Sequence, residues 1–201
     1  QGHYVEAISA LEKATTLDSG LWGASLHLGI ALYRSNRFEE AKRALERASR
    51  VRPDEPAVRY WLGAAYHALR RYPEAIHQLR NHNDVEATYL LARSYAEYAA
   101  DLTERLLRTA PDSPEAARIR AEDALENGSS AEAVGVLRGA LAVTPRAAGL
   151  HLDLGLIHWE NKRYPDAADE FQAELRNNPT SFAALFHLSA YLMETGKPEE
   201  A

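Results

Sequence analysis

The chain has no cysteine, a single methionine, and only 11 glycines and 9 prolines among its 201 residues. Without cysteine, no disulfide braces it and no thiolate holds a metal or attacks a substrate. So little glycine and proline excludes a low-complexity or globally disordered polymer. Long apolar runs are missing too, so no segment reads as a bilayer span and no membrane insertion is expected. The opening Gln1-Gly2-His3-Tyr4 does not read as a secretory signal. These absences select no compartment, and a soluble chain in either the cytoplasm or the periplasm fits them. Basic charge is scarce in the second half. Residues 1–100 carry 13 lysines and arginines against 12 acids, whereas residues 101–201 carry 10 against 17. Phosphate-backbone binding needs clustered cations, so no nucleic-acid partner is expected.

What is present is an ordinary globular share of apolar residues, 46%, arranged with a long period. Ala7/Leu11, Ala41/Leu45 and Ala75/Leu79 recur at steps of 34, as do Ala133/Leu137 and Ala167/Phe171, with Ala201 next in step. Leu28-Gly29, Leu62-Gly63 and Leu154-Gly155 form a second series, each glycine a dozen places ahead of its alanine, with Leu188-Ser189 a weaker member. Pro53, Pro145 and Pro179 form a third, a dozen places behind. Asn36-Arg37, Asn127-Gly128 and Asn161-Lys162 are turn residues that tolerate left-handed backbone. Tyr72-Pro73 and Tyr164-Pro165 place proline where a helix starts, its missing N–H costing nothing there.

Several matches in phase at this period resemble the tetratricopeptide repeat, in an array of bacterial type, and the resemblance covers essentially the whole chain. It implies an all-α fold, an α-solenoid in which antiparallel helix pairs, A and B, stack into a right-handed superhelix with helix A lining the inner face. The phase sets a half-repeat at 1–21, repeats at 22–55, 56–84, 85–113, 114–147 and 148–181, and an incomplete repeat at 182–201, all in one array. The third and fourth repeats are irregular. From Pro53 to Pro111 the numbering advances by 58, where two full repeats need 68. The third repeat's helix B is expected to stop at Asn81-His82-Asn83-Asp84, with Asp84 capping the next helix. Tyr89 to Arg108 has no Gly, Pro or Asn, so its two helices either join by a minimal turn near Ala99-Ala100-Asp101, the preferred reading, or fuse. The last repeat lacks part of its cover over Leu185, Leu188 and Leu192, so a monomer or weak end-to-end self-association is expected.

In this family, ligand contacts come from the inner face of helix A. Carried onto this chain, the face offers His27, Tyr33 and Arg34, then Tyr60, Trp61 and His67, then Tyr89 and Arg93. Further along it offers Glu122, then Asp153 and Trp159, then Phe186 and His187. The family's structural tryptophan position holds Ser25, Arg59, Thr88, Ala117, His151 and Leu185 instead. Trp61 and Trp159 fall on the inner face, as anchors for a partner or as packing between neighbouring A helices. Three consecutive repeats never assemble the Lys and Asn set with which some members clamp a C-terminal carboxylate, so that mode is disfavoured. His151 and His158, seven apart, share a helix face, but without a His-Glu-x-x-His pattern packing explains them better than metal. No cofactor is expected. A nucleophile elbow and a phosphate loop are missing, so catalysis has no residue support. The expected function is a scaffold holding a protein or peptide segment in its groove, within a larger protein or assembly. The alternative is a spacer, or an arm that recruits substrate for a domain elsewhere.

Overall fold

The computed structural model describes residues 2–195, and every regular element among them is an α-helix. The helices fall into two compact units, residues 1–102 and 103–201. The first holds α1 (Gly2–Leu17), α2 (Trp22–Arg34), α3 (Phe38–Val51), α4 (Pro56–Ala68), α5 (Tyr72–Leu79) and most of α6 (Val85–Thr109). The second holds α7 (Pro114–Glu126), α8 (Ser130–Val143), α9 (Leu150–Glu160), α10 (Tyr164–Asn177) and α11 (Phe182–Glu194). Trp22, Pro56, Pro114 and Phe182 open helices where the phase of the repeat places a start, and α9 opens two residues late. The second helix expected to open at Ala201 lies outside the described residues.

Three pairs, α2/α3, α4/α5 and α9/α10, mesh by the same device. The helix-A glycine approaches the large residue of helix B so closely that no side chain fits between them. A methyl group on Gly63 would fall 2.7 Å from Leu79 Cγ, and one on Gly155 2.5 Å from Phe171 Cε1, while Gly29 faces Leu45 in the same way. Glycine inside a helix costs about 1 kcal/mol relative to alanine. Full burial of the partner side chain, worth roughly 1.5–3 kcal/mol, offsets it, since Leu45, Leu79 and Phe171 are all completely buried. In the first unit the core runs through Ile8, Leu28, Leu32, Leu45, Val58 and Leu62. In the second, one cluster centres on Leu137, Leu150 and Leu154 and another on Phe171 and Ala184.

The expected break in the fourth repeat is absent. Val85–Thr109 is one unbroken helix of 25 residues, which corrects the minimal turn placed at Ala99-Ala100-Asp101. Two alanines at that point are the strongest helix formers available, and Asp101 is held by Arg70 at 3.2 Å instead of capping a new helix. The third repeat is short in the manner expected. α5 has 8 residues where α3, α8 and α10 have 14. Asp84 caps α6, its Oδ1 accepting from Ala87 N at 2.8 Å. Left-handed backbone occurs at Asn36 and Gly128 as expected, but in the α9–α10 turn it falls on Lys162 rather than Asn161. The Asn161 side chain donates back to the Ile157 carbonyl at 2.7 Å.

Candidate functional site

In the first unit, α2, α4 and α6 are the helices of the expected inner face. Side chains of α2 and α4 build a continuous aromatic surface. Tyr33 meets Trp61 edge-on, with ring centroids 5.5 Å apart, and Trp61 meets Tyr60 at 5.3 Å. The Arg34 guanidinium stands 5.8 Å from the Trp61 ring centroid, a cation–π contact. Burial raises the Tyr33 hydroxyl above its ordinary pKa; neighbouring Tyr60 adds to the shift and Arg93 opposes it. Four expected residues, Tyr33, Arg34, Tyr60 and Trp61, therefore come together, while Arg93 pairs with Glu97 at 2.7 Å. Tyr89 lies beside Arg93 and is 65% exposed, and His27 is exposed on α2.

His67 has a different occupation. Its Nδ1 lies 3.0 Å from the hydroxyl of buried Ser94, and its Nε2 3.7 Å from Glu97. Burial lowers its pKa, partly countered by Glu97. Glu97 also accepts from Tyr72 at 3.1 Å and from Arg93 at 2.7 Å. The group ties α4 and α5 to α6, so His67 positions a helix within the unit.

The sequence shows a second feature of this unit only as a turn and a cap. Leu79, opposite Gly63, is the last residue of α5, whereas Leu45, opposite Gly29, is followed by six more residues of α3. The chain leaves the helix early and brings His82 against Tyr60, with centroids 6.4 Å apart. Pro56, Ala57, Tyr60, Trp61, His82, Asp84 and Glu86 line the resulting cavity of about 360 Å³. The His82 side chain is 6% exposed, and its Nδ1 lies 3.2 Å from Asp84 Oδ2. Its Nε2 has no partner. Burial raises the Tyr60 pKa, reinforced by Asp84 and Glu86. The signal that could have exposed this site was the shortened helix B, which moves the following loop along helix A.

In the second unit, Arg118 binds Asp153 through two hydrogen bonds, 2.6 and 3.2 Å. Together with Glu122, Glu160 and apolar neighbours they line a cavity of about 170 Å³. The Arg118 charge is thus engaged by Asp153. Trp159 is half-buried, edge-on to Tyr164 and to His187 at 5.0 Å each. His187 stacks on buried Phe171 at 5.2 Å, which makes both rings part of the α9–α10–α11 packing. Phe186, 60% exposed, stacks beside Phe182, 79% exposed. His151 binds Glu170 at 2.7 Å, and His158 is buried with neither ring nitrogen partnered. Among the described residues no group of three or more His, Asp or Glu side chains is placed to hold a metal ion, and no helix is long and apolar enough to cross a membrane.

Comparison with known proteins bears on the fold. The family model described as tetratricopeptide repeat matches residues 26–81 and 120–182. No curated protein matches the chain. Among solved structures, the chain is similar to the TPR2AB domain of yeast Sti1, solved as a complex with pHSP90. That likeness has 17% identity and a TM-score of 0.50, over 96% of this chain and 78% of that one. It is similar to a thermophilic TPR protein of Thermus thermophilus, at 19% identity and a TM-score of 0.41, over 86% and 99%. A third is YrrB, described as a TPR protein with an unusual peptide-binding site, at 16% identity and a TM-score of 0.40, over 88% and 96%. At such identities the likeness shows the fold alone.

Proposed function

Since this chain belongs to the tetratricopeptide repeat family, whose fold generally serves as a non-catalytic scaffold for protein–protein interaction, we propose that it binds a peptide segment of a partner protein. The segment lies across the aromatic face of α2 and α4. The observation that carries this reading is the unbroken run Tyr33–Trp61–Tyr60, at 5.5 and 5.3 Å, left partly open to solvent. Tyr33 and Trp61 pack against the core yet keep part of their rings open, and half-buried aromatic rings beside an arginine have the composition of binding hot spots. A bare spacer has no use for them. In the second unit the acids around Arg118 steer a basic stretch of partner through their field rather than anchor it.

The test starts from peptides selected out of a random displayed library against the whole chain. Trp61→Ala should speed dissociation and cost about 2 kcal/mol of affinity, the size of a typical hot spot. Glu122→Lys with Asp153→Lys should mainly slow association and flatten its salt dependence. If selected ligands bind the Trp61→Ala chain as tightly as the parent, the aromatic face is not the site and the spacer reading takes its place.

A further inference from the structure

The cavity at Tyr60 and His82 has a chemistry distinct from the aromatic strip it adjoins. Its charged lining is of one sign: Asp84 and Glu86 contribute carboxylates, and neither Arg34 nor Arg93 lines it. Asp84 is fixed in place, Oδ1 accepting from Ala87 N at 2.8 Å and Oδ2 facing His82 Nδ1 at 3.2 Å. The first of these bonds holds its carboxyl below the usual carboxylate range, with His82 adding to the effect. In the tautomer whose Nδ1–H donates to Asp84, Nε2 carries a lone pair. That nitrogen is buried and unpartnered on a side chain only 6% exposed. A buried polar atom without a partner is rare in a folded protein and calls for a specific reason.

Carboxylates and an imidazole lone pair accept hydrogen bonds, and the Tyr60 and Trp61 rings present π faces that attract positive charge. A neutral apolar side chain would leave the carboxylates desolvated and Nε2 unmet, and an anion would be repelled. We infer that this cavity holds the cationic end of a basic side chain, lysine or arginine, carried by the peptide that lies on the aromatic face. One of its N–H groups reaches His82 Nε2 while Glu86 and Asp84 balance its charge. The inference rests on the peptide-binding reading above and adds its specificity: the anchoring residue at α4 is basic.

The probes are three acetylated, amidated pentapeptides, each four alanines around a central lysine, arginine or norleucine. Norleucine keeps the length of lysine without its charge. Each is titrated into the full chain while the Trp61 indole N–H and the His82 ring signals are followed by NMR. The lysine or the arginine peptide should shift both sets of signals saturably, and the norleucine peptide should not. Comparing the first two distinguishes ammonium from guanidinium. Glu86→Gln, on an exposed residue of the first turn of α6, leaves the fold intact and should weaken the cationic peptide about five-fold. Norleucine binding as tightly as lysine overturns the inference, as does a Glu86→Gln chain that binds the cation unchanged, or no saturable shift with any probe. A library-selected ligand that depends on Trp61 yet has no basic residue overturns this inference alone and leaves the aromatic face as the site.

Discussion

The pairs α7/α8 and α9/α10 follow one another in the second unit and share one register, yet they fill it differently. At equivalent places α9/α10 has Leu154, Gly155 and Phe171, all buried, and α7/α8 has Arg120, Ala121 and Leu137. Arg120 is exposed where Leu154 is 1% exposed. The smaller Leu137 is matched by a larger residue opposite, alanine in place of glycine. Within these two pairs a smaller residue on one side goes with a larger one on the other, whereas in the first unit Leu45 and Leu79 both face glycine. α9/α10 adds buried His158 and Glu174, whose carboxylate receives Gly149 N at 3.1 Å and so caps the start of α9. α7/α8 instead buries mainly alanines and leaves Gly135 and Gly139 on its surface, where an added methyl would meet nothing within 4 Å.

The largest effect should come from exchanging the volumes. Gly155→Ala drives a methyl into Phe171 and should cost about 1–3 kcal/mol in urea denaturation. Adding Phe171→Leu reproduces the Ala121/Leu137 arrangement and should recover most of the loss, a coupling of about 1 kcal/mol or more in the double-mutant cycle. Losses that simply add would mean that the two pairs do not obey one volume rule.

A smaller effect should appear with pH. His158 is buried, and that burial holds its pKa below the ordinary value, with Arg163 pushing the same way. The unfolded chain then takes up the proton more readily than the folded one. The contribution of this residue is fully present above about pH 6.5 and is lost as pH falls below it. Ala124, at the equivalent place in α7, has no such dependence. Hydrogen exchange should therefore show α9 amides losing protection between pH 7 and 5 faster than those of α7, and His158→Phe should remove the difference. His67, also lowered by burial, supplies the same slope in both proteins and drops out of the comparison. Equal slopes with and without His158 would refute this reading.

The smallest effect is a gain. Gly135→Ala and Gly139→Ala each remove backbone freedom from the unfolded chain without touching a neighbour, and should stabilise α8 by about 0.5–1 kcal/mol. A loss of stability in thermal melts would show that this face of α8 is covered after all.

Much of the fold was legible because its markers act locally. Pro73 and Pro165 stand in the first turns of α5 and α10, where their missing N–H is no loss, and Asp84 caps α6 with its side chain. The candidate site was less legible. Tyr33, Tyr60 and Trp61 share a surface because their helical positions put them on one face. The same spacing also selected His67, which Ser94 and Glu97 engage, and His187, which packs on Phe171 and Trp159. Helical periodicity tells which way a residue points but not what it meets there. His82 was invisible to periodicity altogether, being a loop residue whose neighbours depend on where α5 stops.

By itself, the sequence determined the all-helical class, since it depends on residues close along the chain. The tertiary structure decided between the two readings of Val85–Thr109, which stays one helix. A run of good helix formers bends only if something repays the turn, and Asp101, the residue best suited to start a new helix, is bound to Arg70, thirty-one residues away. It decided equally that Arg118 spends its charge on Asp153 and that His82 comes to lie beside Tyr60. Such pairings are set by the packing of whole helices, and a linear pattern carries no record of them.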